Sequence, residues 1–280
     1  MVNYNGKITE NTAISMEENR AFLYGDAVFE TLKTLDGKIL FAEDHYFRLM
    51  ASMRILRMEI PVVFTQEYLE EQVKSLLSAM DNAHASYRVR ITCYRKNGGK
   101  YTPKNRSIDY IISAEPLNTT VYTMDNSDYE VEIYKDFHVS KHLLSTLKTT
   151  NKLVHITASI FAEENNYQNC LLINDEKNII EAIQSNIFLV KDNIISTPKL
   201  EDGCLNGIMR KQIIQLIEKA ENLVLEERSI SPFELQKADE LFLTNTIQGI
   251  QPITKYRKKS YQNVVSTQLL GMLNAKVRFG

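Results

Sequence analysis

The stretch "GDAVFETLKTLDGKILF", Gly25 to Phe41, constrains this chain more than any other. Apolar and polar residues alternate on either side of Asp36-Gly37, and an Asp-Gly pair supplies the positive φ angles that a tight hairpin needs. Two strands joined by that turn are expected. The period then changes. In "AEDHYFRLMASMRILRM" the apolar residues Phe47, Met50, Met53, Ile55 and Leu56 fall near helical spacing, and "TQEYLEEQVKSLLSAM" repeats the pattern behind Thr65 as cap, with Glu67 in the first turn. "ASYRVRITCYR" and "IDYIISAEPL" alternate again, as half-buried strands do. This part reads as α+β.

Between Glu115 and Asp128, "EPLNTTVYTMDNSD" carries Pro, Asn, Thr and Asp without periodicity, which marks a linker. The expected organisation is a small N-terminal α+β domain over 1–115, a linker over 116–128 and a larger, strand-rich C-terminal domain over 129–280. The second part predicts a helix from about Asn151 to Glu164 and strands in "NCLLIND", "IIEAIQSNIFLV" and "DNIISTP". A helix in "GIMRKQIIQLIEKA" and strands in "NLVLEERSI" and "ELFLTNT" follow. Many strands with few helices argue against a doubly wound sheet. Neither G-x-G-x-x-G nor G-x-x-x-x-G-K-[ST] occurs, so dinucleotide and P-loop readings have no support.

The 33 Lys and Arg nearly balance the 35 Asp and Glu, a net charge of −2 that offers no broad footprint for nucleic acid or anionic lipid. A small-molecule partner fits better. The N-terminal residues hold no apolar run of signal-peptide length, and no window reaches the ~18 apolar residues of a membrane span, so a cytoplasmic location is expected. Cys93, Cys170 and Cys204 lack the spacing of a metal site or a disulfide framework and are expected to be buried free thiols, with no metal bound.

Five separated segments resemble the class IV aminotransferases: "NRAFLYGDAVFETLK", "HYFRLMAS", "LKTTNKL", "IIEAIQSNIFLVKDNIISTP" and "LNGIMRKQI". They occur in that family's order and roughly at its spacings, from about Asn19 to Ile253. These are the fold-type IV pyridoxal phosphate enzymes, among them branched-chain aminotransferase, D-amino acid aminotransferase and 4-amino-4-deoxychorismate lyase. The resemblance implies that two-domain α+β fold, pyridoxal 5'-phosphate as cofactor and a homodimer. It makes Lys148 the Schiff-base lysine. An amine attacks the cofactor aldehyde only when deprotonated, which desolvation or cationic neighbours favour. Glu181 matches the glutamate that pairs with the pyridine nitrogen and keeps it protonated. Arg48, in "HYFRL", resembles the phosphate arginine, whose planar fork suits phosphate oxygens. The backbone N–H groups of Ile208 and Met209 would face the phosphate at the start of a helix, with Gly207 permitting close approach. Thr246 matches a hydroxyl donor to the same phosphate, with Asn245 beside it.

Which member of the family the chain is like turns on finer features. All members deprotonate Cα of an amino substrate, with the released lysine as acid and base. "NGIMR" in place of the "PGITR"-like form of branched-chain enzymes, and Thr31 in "FET", favour the lyase, where a threonine lies near the substrate. The alternative is a branched-chain or other amino acid aminotransferase using 2-oxoglutarate, and a third reading is an inactive relative kept as a binding protein. The tyrosine of the D-amino acid enzymes' "GDGVYE" is Phe29 here, a substrate-facing position, and "YRKNGGKYTPKNR" holds no arginine and histidine at the spacing of their carboxylate trap. Arg95, Lys100 and Arg106 in that loop are the cations expected to bind a substrate carboxylate.

Overall fold

In the computed structural model, which describes every residue except 13, 81–84, 126 and 280, the chain opens with a hairpin that the sequence reading passed over. Strands β1 (Val2–Tyr4) and β2 (Lys7–Thr9) turn at Asn5-Gly6, both at positive φ (49° and 85°). Helix α1 (Arg20–Tyr24) is capped by the Asn19 side chain and leads into β3 (Ala27–Leu35). Asp36 and Gly37, at φ 47° and 78°, turn β3 into β4 (Lys38–Ile39), as the alternation predicts. Helices α2 (Ala42–Ile55) and α3 (Gln66–Ala79) follow, and the Thr65 hydroxyl accepts the Tyr68 amide hydrogen at 3.2 Å, satisfying one of the donors that a helix start leaves open. Strands β5 (Ser86–Arg95) and β6 (Ile108–Pro116) complete an antiparallel sheet in the order β2-β1-β6-β5-β3-β4.

Strand alternation gives this sheet two different faces. Val28, Leu32, Val89, Ile91, Cys93 and Ile112 point to the helices and bury against Leu49, Met50, Met53, Leu69, Val73 and Leu76. Each such side chain contributes roughly 1.5–3 kcal/mol on burial, so packing rather than propensity holds α2 and α3 in place. The opposite face carries Phe29, Thr31, Arg88, Arg90 and Thr92, all half-buried.

The chain divides into two compact units: Met1–Thr120 with Lys148–Asn151, and Val121–Leu147 with Lys152–Gly280. The sequence reading assigned all of 129–280 to one domain, whereas residues 148–151 belong with the first unit. They form an extended strap on β3: Thr149 bridges Val28, the Phe29 amide donates to the Lys148 carbonyl at 2.9 Å and the Thr150 amide donates to the Ala27 carbonyl at 3.1 Å. Helix α4 (Leu153–Glu164) accordingly begins two residues later than expected.

The second unit contains β7 (Glu130–Ile133), β8 (Asn169–Ile173), β9 (Ile179–Ala182), β10 (Asn186–Lys191), β11 (Ile194–Thr197), α5 (Ile208–Glu218), β12 (Val224–Glu227), β13 (Glu240–Asn245), β14 (Gly249–Ile253) and α6 (Val264–Phe279). Its strands run in the order β12-β11-β10-β9-β8-β7, with β13 antiparallel to both β10 and β14. "IIEAIQSNIFLV" is two strands rather than one. The Ala182 amide donates to the Ser185 carbonyl at 2.7 Å and turns the chain so that Glu181 pairs with Asn186. Val131, Leu171, Ile179, Ile187, Leu241 and Ile253 form the core. The three cysteines are buried free thiols, and among the described residues no helix is long and apolar enough to cross a membrane.

Candidate active site

The half-buried face of the first unit's sheet brings four chemically capable side chains together. Antiparallel register sets Thr31 opposite Arg90 and Phe29 opposite Thr92. The Arg90 guanidinium carbon lies 3.7 Å from the centroid of the Phe29 ring, and its Nε donates to the Thr92 hydroxyl at 3.1 Å. The strap places the Lys148 Nζ 4.6 Å from the same centroid. A cation over a ring is worth ~0.5–2 kcal/mol, more as it is desolvated, and burial does lower the Arg90 pKa below the ordinary arginine value. Arg90 was not among the residues singled out from the sequence. The signal was there in "RVRI", whose alternation sets two arginines on the face away from Val89 and Ile91.

The helix-facing side of β3 holds a charged cluster. Glu30 accepts from His45 Nδ1 at 2.7 Å and from Arg48 Nε, also at 2.7 Å, with Arg48 Nη2 on its other oxygen. Burial would raise the Glu30 pKa, but the Arg48 charge and the His45 hydrogen bond outweigh it and bring it to about 2. Burial lowers the His45 pKa, so a neutral imidazole donates from Nδ1 to the carboxylate. The fork of Arg48 that the resemblance assigns to phosphate oxygens therefore rests on Glu30.

Of the three cations expected to bind a substrate carboxylate, one differs from expectation. Arg95 is buried and committed: Nε and Nη2 donate to Asp26 at 3.0 and 3.3 Å, Nη2 to the Leu56 carbonyl at 2.7 Å and Nη1 to the Arg57 carbonyl at 3.1 Å. It ties β5 to the end of α2, and reading it as a substrate cation is corrected on that ground. Asp26 also accepts from Arg20 Nε at 2.9 Å, and Arg20 Nη1 donates to the carbonyls of Gly98, Gly99 and Lys100. Lys100 and Arg106 are exposed.

The second unit gathers another set around the turn before α5. Glu181 is buried in β9; its Oε2 accepts the Leu205 amide hydrogen at 2.8 Å, and its Oε1 lies 2.9 Å from His155 Nε2. Burial would raise the Glu181 pKa, but the His155 hydrogen bond and charge, Lys152 and the Leu205 amide together lower it, so the carboxylate stays ionised. The Leu205 carbonyl accepts from Asn186 Nδ2 at 2.8 Å, and a Cβ added at Gly207 would stand 1.9 Å from Asn186 Oδ1, so any side chain there would displace Asn186. Helix α5 then starts at Ile208 without a side-chain cap, its first turn buried. Amide donors with no capping group, at the positive end of a helix, form a cradle for an anion. Ile208 and Met209 thus lie in the same turn that Glu181 and Asn186 pin. Asn245 donates from Nδ2 to the Ser185 hydroxyl at 3.0 Å, its Oδ1 accepts from the Ile247 and Gln248 amides, and the Thr246 carbonyl accepts from the Tyr122 hydroxyl at 2.9 Å. His155 was also absent from the residues expected from sequence, where a histidine in an apolar helix carries no distinguishing mark.

Residues 27–256 match the family model for amino-transferase class IV. A D-alanine aminotransferase of Bacillus licheniformis is 26% identical over 257 residues, covering 90% of this chain and 86% of that protein. Among solved structures, the branched-chain amino acid aminotransferase of Thermobaculum terrenum in its PLP form superposes with a TM-score of 0.84 at 24% identity, over 99% of this chain and 93% of that one. The 4-amino-4-deoxychorismate lyase of Pseudomonas aeruginosa does so with a TM-score of 0.84 at 22% identity, over 100% of both.

Proposed function

Because the chain belongs to the class IV aminotransferases and is an enzyme of that family, we propose that it is a 4-amino-4-deoxychorismate lyase, with Lys148 as the base that removes the proton from the carbon bearing the amine. The family's cofactor is pyridoxal 5'-phosphate, which when bound supplies a sink for the electron pair left on the deprotonated carbon. The donor set suits it. Glu181, buried and ionised, would accept from a protonated ring nitrogen. The Ile208 and Met209 amides, with Asn245 and Thr246, would hold the phosphate, whereas the fork of Arg48 is taken by Glu30.

The observation that carries the choice of reaction is the setting of Thr31. Its side chain shares the half-buried face of β3 with Phe29 and stands opposite Arg90, on the strand whose ring lies beneath the Lys148 amine. The lyase substrate carries two carboxylates, for which Arg90, with Lys100 and Arg106, supplies charge. Lys148 takes the proton from the carbon bearing the amine, the bond from the ring to the enolpyruvyl oxygen breaks as the ring becomes aromatic, and the departing enolpyruvate takes a proton on its methylene carbon, assisted by the Thr31 hydroxyl, to become pyruvate. Amino acid transamination is the second reading, supported by the likeness to D-alanine aminotransferase over 90% of the chain.

The test is to incubate the protein with 4-amino-4-deoxychorismate without any oxo acid, and separately with L- and D-amino acids plus 2-oxoglutarate. Release of 4-aminobenzoate and pyruvate is expected. Thr31→Val keeps the branched shape and should slow that release by ~10² to 10⁴ while the cofactor stays bound. Brisk transamination of leucine, isoleucine, valine or D-alanine with no 4-aminobenzoate would overturn the lyase assignment.

A further inference from the structure

Glu181 would be a poor partner for a ring nitrogen if left to itself. A buried carboxylate with one backbone donor is pushed toward the neutral form, and a protonated carboxyl cannot act as the anionic acceptor that a positively charged ring N–H needs. Its side chain would also be free to swing about the one bond to Leu205. The structure supplies a second hold from another element, α4, whose first turn carries His155.

We propose that His155 is a positioning residue for Glu181: its Nε2–H donates to Oε1 while the Leu205 amide donates to Oε2, and the two together fix the plane of the carboxylate. This rests on the assignment of Glu181 to the cofactor's ring nitrogen. The geometry supports it in three ways. The His155 contact is 2.9 Å and the Leu205 contact 2.8 Å, each on a different oxygen, so the carboxylate cannot rotate without breaking one of them. Both side chains are shielded, at 14% exposure for His155 and 6% for Glu181, so water does not screen or replace the bond. The Leu205 peptide is itself anchored by Asn186, so the second hold is rigid. With each oxygen taken once, a lone pair is left to accept from a ligand. One short run of chain, 148–155, therefore carries both the reactive lysine and the residue that orients the glutamate.

Wild-type protein is compared with His155→Ala and His155→Gln, whose amide can donate to the same oxygen. The first measurement needs no cofactor: a ¹³C NMR titration of glutamate carboxyls in the apoprotein, with the Glu181 signal identified by its loss in Glu181→Gln. The second is the dissociation constant of pyridoxal 5'-phosphate, read from visible absorbance. His155→Ala should raise the Glu181 pKa and weaken cofactor binding by about tenfold or more, the effect of losing one hydrogen bond to a charged group. His155→Gln should return both toward wild type. An unchanged Glu181 titration in His155→Ala, or a His155→Gln protein indistinguishable from the alanine variant, would overturn the proposal. Wild-type protein that binds no cofactor would instead refute the ring-nitrogen assignment, because the apoprotein titration reads the His155 contact by itself.

Discussion

Replacing Glu30 by Gln should destabilise the first unit at neutral pH by about 3 kcal/mol. The figure follows from the displacement of its pKa from 4.5 to about 2, at roughly 1.4 kcal/mol per unit. It agrees in size with the ~3–5 kcal/mol lost when one member of a buried ion pair is removed and the other left uncompensated. The folded-state pKa is depressed, so the stabilisation is fully present above pH 4.5 and is lost as the pH falls through about 2. The gap between wild type and Glu30→Gln should therefore narrow by about 1.4 kcal/mol for each pH unit below 4.5. Urea unfolding of the apoprotein at pH 7 and pH 3.5 measures both effects. Tyrosine fluorescence serves as the probe, since the chain has 14 tyrosines and no tryptophan. With m-values of ~1–3 kcal/mol/M, the neutral-pH midpoint should drop by roughly 1–3 M. The double variant Glu30→Gln/Arg48→Met leaves no charge stranded and should recover part of the loss. A double variant as unstable as the sum of its singles, or a single variant that unfolds like wild type, would refute the reasoning.

Lys148→Ala should abolish both turnover and the visible absorption of lysine-bound cofactor; colour that borohydride fixes onto another lysine would show that Lys148 is not the attachment point. Arg90→Leu should raise KM for the proposed substrate, 4-amino-4-deoxychorismate, ~10- to 100-fold, the worth of a charge-assisted hydrogen bond, with a smaller change in kcat, and steady-state kinetics that leave KM unmoved would remove Arg90 from the proposed site. Gly207→Ala forces Asn186 away from the Leu205 carbonyl and should weaken cofactor binding by at least about tenfold, as judged by absorbance titration. An unaltered dissociation constant would mean that this turn does not form the phosphate cradle.

Local chemistry made much of the fold legible. The Asp36-Gly37 hairpin and the Thr65-capped helix are decided by residues adjacent in sequence, and both are found where the pattern places them. The Asn5-Gly6 turn carried the same kind of signal and was passed over, as was the apolar spacing of α6. The break between β9 and β10 did carry a local mark, the polar run Gln184-Ser185-Asn186, where the chain turns between two buried strands. Charged residues were the least legible. Arg95 and its partner Asp26 lie 69 positions apart, and His155 and Glu181 lie 26 apart, so no local pattern distinguishes a committed or positioning side chain from a solvated one.

The strap that carries Lys148 also decides when the first unit can be finished. Strand β4 covers only the far end of β3, at Thr34 and Leu35, so the backbone of Ala27 and Phe29 has the strap as its partner on that side. During synthesis, this stretch of β3 must wait through more than a hundred further residues before its partner leaves the ribosome. Until then it presents unpaired amide and carbonyl groups, which other chains can recruit. A fragment ending at Thr120 would keep that open edge permanently, so the segment bearing Lys148 doubles as the piece that seals a sheet against self-association.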